Sequence, residues 1–397
     1  AICMIMVLVI TFQVRLVDCE PEVNRSRTLY VPYMSVKQKG NSDNESANAS
    51  MSVRTGRECF RALSMPEAVT LASGVYRVRA SVPSRSKATA DMVQTDEAFW
   101  TIFSFHFLSG EAFTKADCDA GLTRAVLDAT TARRLFGTTD AVGRTVQLDY
   151  VDYTVAGVVA DVSMLATAAY AQIWVPYTAA GAEAMSWQND TMGPMHAIIL
   201  ARSSADFDAI REETELLRKK YNDGLQDVEV FYRGQPDTQL AYLYRRWYAE
   251  SDVPGVMLRY AIVVIILLLV PAVNLSGMTL SRMRRRMAEI GVRKAFGATG
   301  GELMRQVFFE NLVLTLLAGI VGLALSYVAT FALNGFLFSN SMNASLSGET
   351  ALTPGMLLSP WAFIAAFAFC LLMNILSAGI PAWRASRMNI TDAINQR

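Results

Sequence analysis

The chain has few of the residues from which catalytic and metal sites are built. Only two histidines occur in 397 residues, and His106 and His196 each stand alone in an apolar, strand-like run. No CxxC, HExxH or GxSxG sequence is present, so the common redox, zinc-protease and serine-hydrolase motifs are excluded. We therefore interpret both histidines as structural and assign no catalytic, cofactor-binding or metal-binding residue.

A phosphate-binding loop is also missing. The pattern G-x-x-x-x-G-K-[ST] does not occur, so the chain is not expected to bind nucleotide through a P-loop. The stretch "AFGATGGELM" has no lysine after its second glycine and follows no strand, and we interpret it as a break between two helices. If the protein depends on ATP, hydrolysis is expected on a partner subunit or on a fused domain missing from this chain.

Neither an excess of charge nor a disulfide framework is indicated. Lys and Arg number 36, as do Asp and Glu, so no global field favours nucleic acid as a partner. Of the five cysteines, Cys3 and Cys370 lie in apolar runs. The other three, Cys19, Cys59 and Cys118, are an odd number and allow at most one pair, so we expect no structural disulfide.

Apolar residues, in contrast, are abundant at the N-terminus and in the last third of the chain. They make up 52% of the residues, and the mean hydropathy is +0.25. A hydrocarbon core of about 30 Å needs roughly 20 helical residues, which the runs at 255–281, 306–337 and 361–383 supply. We interpret 1–17 as a fourth helix whose start is missing, the alternative being the h-region of a signal peptide. The sequence thus predicts a membrane protein with four transmembrane α-helices.

Lysine and arginine in the short loops predict the orientation of these helices. The loop 282–305 is rich in arginine and the tail 384–397 also carries basic residues, whereas 338–360 carries none. Loop 282–305 and the tail are therefore expected in the cytoplasm. Residues 338–360 and the long segment 18–254 are expected outside.

Segment 18–254 has the composition of a soluble α/β domain. Strand–helix–strand patterns occur at its two ends, at about 24–94 and 190–250. In the first, "GRECFRALSMPEAVTLAS" is helix-like and "GVYRVRASVP" is strand-like. In the second, "SSADFDAIREETELLRKKY" is a helix with Ser203 or Ser204 as N-cap. The piece between, about 95–182, is predicted as a small inserted α/β subdomain.

The charged loop has helical character of its own. Glu289 and Arg293 are an i,i+4 pair in the favourable order, and Gly297 is a plausible C-terminal stop. Glu302 then lies in the first turn of the next helix, where an acid suits the helix dipole. The segment could serve only to anchor the topology at lipid head groups. The interleaving of apolar residues with its arginines favours a docking element instead.

Several motifs carry a resemblance to a known family. The segment "EIGVRKAFGATGGELMRQVFFENLVLTLLAGIVGLALSYV" resembles the cytoplasmic loop and following helix of MacB/FtsX-type permeases of ABC transporters. "PAWRASRMNITDAI" resembles the family's closing tail, with Ile390 where a proline is common, and "FLSGEAFT" and "YTVAGVVADV" resemble its extracytoplasmic core. The loop positions that match are Glu289, Ile290, Gly291, Arg293, Lys294, Ala295, Gly297, Ala298, Gln306 and Glu310.

The resemblance implies that the charged segment is a coupling helix seated on an ABC ATPase, which would bind the ATP. It also implies that two permease copies pair as a homodimer, and that ATP use moves the outside domain, a mechanism called mechanotransmission in this family. The α/β repeats would be the family's porter-like subdomain. The residues implied in coupling are Arg284, Arg285, Met287, Glu289, Ile290, Gly291, Val292, Arg293, Lys294, Ala295, Phe296, Gly297 and Ala298.

Two further features of the third predicted span bear on assembly. Ala318 and Gly322 have small-xxx-small spacing, with Gly319 beside them, which allows close approach of a second helix. Glu310 lies just inside the membrane edge, where an acid is either functional or paired at the interface.

The family implies a multi-pass protein of the bacterial inner membrane with its large domain in the periplasm. MacB-like members act with a periplasmic adaptor and an outer-membrane tunnel protein to expel antibiotics, toxins or peptides. Lipoprotein-release and cell-division members share the topology and remain alternatives. A different class of protein, a membrane-anchored signalling or scaffold protein, is a further hypothesis. The loop motif at 289–298 favours the permease over it.

Overall fold

The structure, a computed structural model, describes most of the N-terminal two thirds of the chain and part of the remainder. Its described residues form two compact units, one containing Arg15–Val253 and the other drawn from Ala1–Val14 and Pro254–Phe338. The described residues are 2–42, 45–83, 87–246, 249–267, 269, 292, 296–297, 299–338, 364, 367–368 and 371–372.

The larger unit is an α/β domain. Its described strands are β1 (Thr28–Val31), β2 (Met34–Gln38), β3 (Ala47–Ala49), β4 (Ala68–Ser73), β5 (Tyr76–Ser81), β6 (Lys87–Thr95), β7 (Phe107–Gly110), β8 (Arg124–Asp128), β9 (Thr145–Leu148), β10 (Val151–Val159), β11 (Ile173–Pro176), β12 (Met195–Leu200), β13 (Val228–Phe231) and β14 (Asp237–Thr238). Its described helices are Val53–Gly56, Phe99–Ile102, Lys115–Asp119, Ala129–Phe136, Phe207–Gly224 and Gln239–Tyr244. Shorter turns of 3-10 or π type lie at Arg25–Arg27, Arg57–Arg61, Ala182–Ala184 and Ser204–Asp206.

One sheet has the strand order β14-β1-β12-β4, and adjacent strands are antiparallel. The helix beginning at Val53 lies between β1 and β4 along the chain, and Phe207–Gly224 lies between β12 and β14. Each strand–helix–strand unit therefore encloses a strand of the other, which is the split β-α-β arrangement. Both helices contribute buried residues, such as Phe60 and Ile210, to the core under this sheet. β-α-β units are present at the two ends of the domain, but the second differs from the prediction in its closing strand, which is β14. The strand β13, predicted to close that unit, pairs instead with β2 in a three-stranded sheet of order β13-β2-β3.

The first unit differs from the prediction in its second strand. "AVTLAS" was expected to be helical but forms β4, which pairs with β12 from Ala68 opposite Leu200 to Ser73 opposite Met195. Most of the strand is buried on both faces, and a continuous apolar run of this length does not distinguish a buried strand from a buried helix. The helical part ends earlier, at Arg61.

The inserted subdomain is a closed ring of strands. Its order is β10-β8-β11-β6-β5-β9, and β9 pairs again with β10, so that six strands close on themselves while β7 adds to β10. Helix Ala129–Phe136 contributes Leu135 and Phe136 to the core of the ring. β5 and β6 were predicted to belong to the porter-like part before residue 95, but they are ring strands. Alternating strands look alike in either sheet, because local pattern does not reveal a strand's partner.

The smaller unit is helical. Helix Ile2–Val14 packs against the long helix Gly300–Ala332, and residues 253–267 and Asn334–Leu337 are also helical. Counting only the residues that the structure describes, no helix has both the length and the apolar content needed to cross a bilayer. Residues 268 and 270–281 of the predicted span 255–281, and most of the span 361–383, lie outside the described residues.

Gly157 offers a test of the ring, because its backbone is closely approached. An ideal Cβ there would lie 2.6 Å from the carbonyl oxygen of Glu111 and 2.9 Å from Cε1 of Phe107, where β10 is irregular beside β7 and β8. We predict that Gly157→Ala lowers the free energy of unfolding by about 1–3 kcal/mol through overpacking. Thermal unfolding of the full chain measures this. Gly224→Ala, whose Cβ meets nothing within 4 Å, is the control, and equal losses in both variants would contradict the prediction.

Candidate coupling segment and subdomain junction

The predicted coupling segment is described only in part. Val292, Phe296 and Gly297 are described. The other predicted coupling positions lie outside the described residues, and their roles stay predictions. These positions are Arg284, Arg285, Met287, Glu289, Ile290, Gly291, Arg293, Lys294, Ala295 and Ala298.

The three described residues form the end of a helical turn. Val292 is helical, and the amide of Phe296 donates a hydrogen bond to its carbonyl oxygen at 3.1 Å. Gly297 has φ +94°, a left-handed conformation that ends helices and favours glycine. The Phe296 ring is 88% exposed, so the turn ends with a large apolar side chain in contact with solvent.

A new helix starts almost at once. Thr299 caps helix Gly300–Ala332: its Oγ1 accepts from the Glu302 amide at 3.3 Å, and Glu302 Oε2 accepts from the Thr299 amide at 2.9 Å. Hydrogen bonding of the Glu302 carboxylate to the Thr299 amide, and to a smaller extent to the Thr299 side chain, lowers the pKa of Glu302. The expected position of Glu302 in the first turn is thus confirmed. Because Gly297 and Thr299 are two positions apart, the connection between the two helical segments is short.

The long helix has a buried side made of small and polar residues. A Cβ on Gly319 would lie 3.1 Å from Cδ2 of Phe367 in the same chain, and the neighbouring Ala318 is exposed. Close approach at Gly319 therefore occurs within the chain, and pairing of Ala318, Gly319 and Gly322 with a second copy stays a prediction. The buried positions described along this side are Gly319, Gly322, Ser326 and Thr330.

Large apolar side chains are exposed on the same helix. A set of nine is between 46% and 65% exposed, which is more contiguous apolar surface than a soluble monomer usually presents. Glu310 is exposed beside them, and its predicted role at a membrane edge is untested. The nine residues are Phe309, Val313, Leu316, Leu317, Ile320, Val321, Leu325, Val328 and Phe331.

Asp96 joins the two parts of the α/β unit. It follows ring strand β6, and its carboxylate accepts hydrogen bonds from Thr70 Oγ1 at 2.6 Å and from the Leu71 amide at 3.0 Å, both on β4. Arg61 lies 3.4 Å from the same carboxylate. Burial raises the pKa of Asp96 to about 6, and Arg61 opposes that rise. Sequence reasoning missed this residue because its partners are distant along the chain.

A cavity of about 350 Å³ opens beside the Val53 helix and is lined by Val53, Arg54, Arg57, Glu58, Glu183 and Asp190. Its arginines are already paired, Arg54 with Glu58 at 2.9 Å and Arg57 with Glu183 at 2.7 Å. Asp190 is the one other charged residue of the lining, and a single carboxylate indicates no ligand class. Within the described ranges, no group of His, Cys, Asp and Glu side chains could hold a metal ion.

Comparison with known families identifies the chain. The model of the MacB-like periplasmic core domain matches residues 1–217, and that of the FtsX-like permease C-terminal matches 261–390. The chain therefore belongs to the MacB/FtsX-type family of ABC transporter permeases, as its loop motif predicted.

Individual relatives are more distant. The chain is 26% identical over 307 residues to the macrolide export ATP-binding/permease protein MacB of Chromobacterium violaceum, covering 77% of this chain and 43% of the relative. It is 27% identical over 299 residues to the pyoverdine export ATP-binding/permease protein PvdT of Pseudomonas aeruginosa, covering 75% and 41%. The chain thus spans less than half the length of these relatives.

The pKa of Asp96 predicts a pH dependence of stability. An aspartate whose pKa is higher folded than unfolded contributes stability at low pH and loses it as pH rises. The relevant quantity is the difference in free energy of unfolding between the wild type and Asp96→Asn. We predict that this difference falls by roughly 2–3 kcal/mol as the pH rises from about 4 to about 6. Urea unfolding across this range measures it. Asp128, whose pKa burial also raises to about 6, is expected to behave in the same sense. A difference that rises with pH, or stays constant, would rule the prediction out.

Proposed function

We propose that the chain is the permease of an ABC exporter that works by mechanotransmission. Its segment 282–305 receives the movement of an ATPase in the cytoplasm, and the helical unit passes this movement to the α/β unit outside. The moving α/β unit expels antibiotics, peptides or similar compounds from the periplasm. The export of macrolides and pyoverdine named for two relatives supports this class of cargo.

The proposed location is the bacterial inner membrane, with spans at 1–17, 255–281, 306–337 and 361–383. The exposed apolar side chains of helix Gly300–Ala332 support this, because hydrocarbon covers such a surface at no cost in free energy. Segment 18–254 then lies in the periplasm, and the arginines of 282–305 lie in the cytoplasm.

The observation that carries the proposal is the exposed Phe296 ring at the end of a helical turn, three positions before Thr299, which caps the long helix. An exposed aromatic among arginines is typical of the centre of a protein–protein contact. The ring would fill an apolar groove on the ATPase, while the neighbouring arginines pair with acids there. Movement of this contact would reach the long helix directly, because Gly297 and Thr299 leave little chain between them.

The proposed partners follow from this arrangement. ATP is bound by an ABC ATPase, either a separate subunit or a domain fused to the permease as in the longer relatives. A second permease copy completes a dimer. A periplasmic adaptor and an outer-membrane tunnel protein are further partners of an exporter of this type, and lipids surround the helices.

Phe296→Asp tests the coupling contact. We expect the variant to lose co-purification of the ATPase and stimulation of its activity by about tenfold or more, since a buried aromatic anchor contributes at least about 2 kcal/mol to a contact. Phe296→Leu keeps an apolar side chain and is expected to retain most of both.

Phe336→Asp is the control for the effect of a new charge. Phe336 is 81% exposed and lies near the end of the predicted span 306–337 that is farther along the chain from the coupling segment. It should leave ATPase binding unchanged. If Phe296→Asp also binds and stimulates the ATPase as the wild type does, the coupling proposal is wrong.

A further inference from the structure

A buried ion pair lies in the segment that leaves the first helix. Glu22 and Arg25 follow helix Ile2–Val14 and precede β1, and Arg25 Nε donates to Glu22 Oε2 at 2.7 Å. Both side chains are only 1% exposed. The other guanidinium nitrogens donate to the carbonyl oxygens of Val17, at 2.6 Å, and Leu165. Each of the three guanidinium nitrogens of Arg25 therefore has an acceptor.

The partners of this pair belong to the ring subdomain. Glu22 Oε1 accepts from the amides of Ala168 at 2.7 Å and Ala169 at 3.0 Å, in the same β10–β11 connection that holds Leu165. The Ser104 amide, before β7, also donates to the carbonyl oxygen of Pro21 at 2.9 Å. Segment 17–25 is thus fixed to the ring at two places.

The same segment runs directly into the other subdomain. After the turn Arg25–Arg27 it forms β1, an inner strand of the four-stranded sheet between β14 and β12. The chain that leaves the first helix therefore contacts the ring first and enters the sheet second. Any displacement of residues 17–25 acts on both subdomains.

Stability alone does not explain why this contact is ionic. Burying two charges costs about as much as their attraction returns, and apolar side chains of similar volume often stabilise a protein equally well or better. What the pair adds is a defined geometry, because the three nitrogens of the planar guanidinium each donate to a different acceptor. The pair thus fixes the position of the segment against the ring.

We propose that Glu22 and Arg25 are positioning residues that clamp segment 17–25 to the ring, so that movement of the first helix displaces the ring relative to the four-stranded sheet. This inference rests on the proposed function and names the contact through which the movement passes. The clamp consists of Glu22, Arg25, Pro21 and their partners at 104, 165, 168 and 169.

The test removes the charges together, so that no lone buried charge is left. Glu22→Leu with Arg25→Met is expected to fold, as thermal unfolding checks. Probes carried on unnatural amino acids replace Tyr150, 82% exposed at the ring's β9–β10 turn, and Leu216, 66% exposed on Phe207–Gly224. In the complete complex with its ATPase, the wild type should change the 150–216 distance on ATP binding, and the variant should lose that change.

A nearby pair provides the matched control. Arg27 and Glu67 form an ion pair two residues further along, but they join β1 and β4 and do not reach the ring. Arg27→Met with Glu67→Leu should keep the ATP-dependent change. If the first double variant misfolds, Glu22→Gln with Arg25→Met replaces it, since the amide oxygen still accepts from Ala168.

A cross-link provides the rescue. Glu20 precedes Pro21, whose carbonyl oxygen accepts from the Ser104 amide, and both Glu20 and Ser104 are exposed. Cysteines at 20 and 104 can therefore be joined by a short thiol reagent. In the clamp variant, the cross-link should restore the distance change, which a merely destabilised core would not regain.

Each outcome bears on a different claim. A wild-type distance that ATP does not change contradicts the proposed function, and the clamp's role with it. If the clamp variant shows the same ATP-dependent distance change as the wild type, the clamp proposal is wrong and the proposed function stands. The clamp proposal is also wrong if the Arg27 and Glu67 control loses the distance change as well, or if the cross-link does not restore it.

Discussion

The apolar side chains along helix Gly300–Ala332 impose the constraint on which the rest of this protein depends. They are exposed on the chain by itself, whereas Gly319, Gly322, Ser326 and Thr330 of the same helix are buried. Water does not suit such a surface, and in a bilayer it needs no further partner. In the proposed membrane location, one unit of the chain lies in hydrocarbon and the other, with its three described sheets, lies in water. Under that proposal, movement passes between the two units along the chain that joins them.

The buried charges of the α/β unit lie where its parts join. Asp96 connects the end of a ring strand to β4, and the pair of Glu22 and Arg25 connects the incoming chain to the ring. In both places the carboxylate accepts main-chain amides from the other part, which fixes direction as well as distance. Apolar packing would hold these parts together, but hydrogen bonds to buried charges also fix how they are oriented. Joints of this kind fit the proposal that the domain moves as defined pieces.

Local features of the fold could be predicted from the sequence because they depend on neighbours along the chain. Ser203 caps the turn before Phe207–Gly224, and Glu302 lies in a capping box, as their sequence positions indicated. Sheet membership could not be predicted in this way, so β4 was taken for helix and β5 was assigned to the wrong subdomain. Asp96 gives no local signal of its role at the junction, since its partners on β4 lie 25 residues or more away. The family resemblance rests on the loop at 289–298, most of which lies outside the described residues.

The central claim is that the chain spans a membrane with its α/β unit on one side and its coupling segment on the other. The most direct measurement is thiol labelling in a background without the five native cysteines. Single cysteines would replace Tyr150 and Phe296, both highly exposed, and intact spheroplasts would be treated with a membrane-impermeant maleimide. The account predicts labelling at 150 before lysis and at 296 only after it. Labelling of both positions before lysis, or of 296 alone, would contradict it.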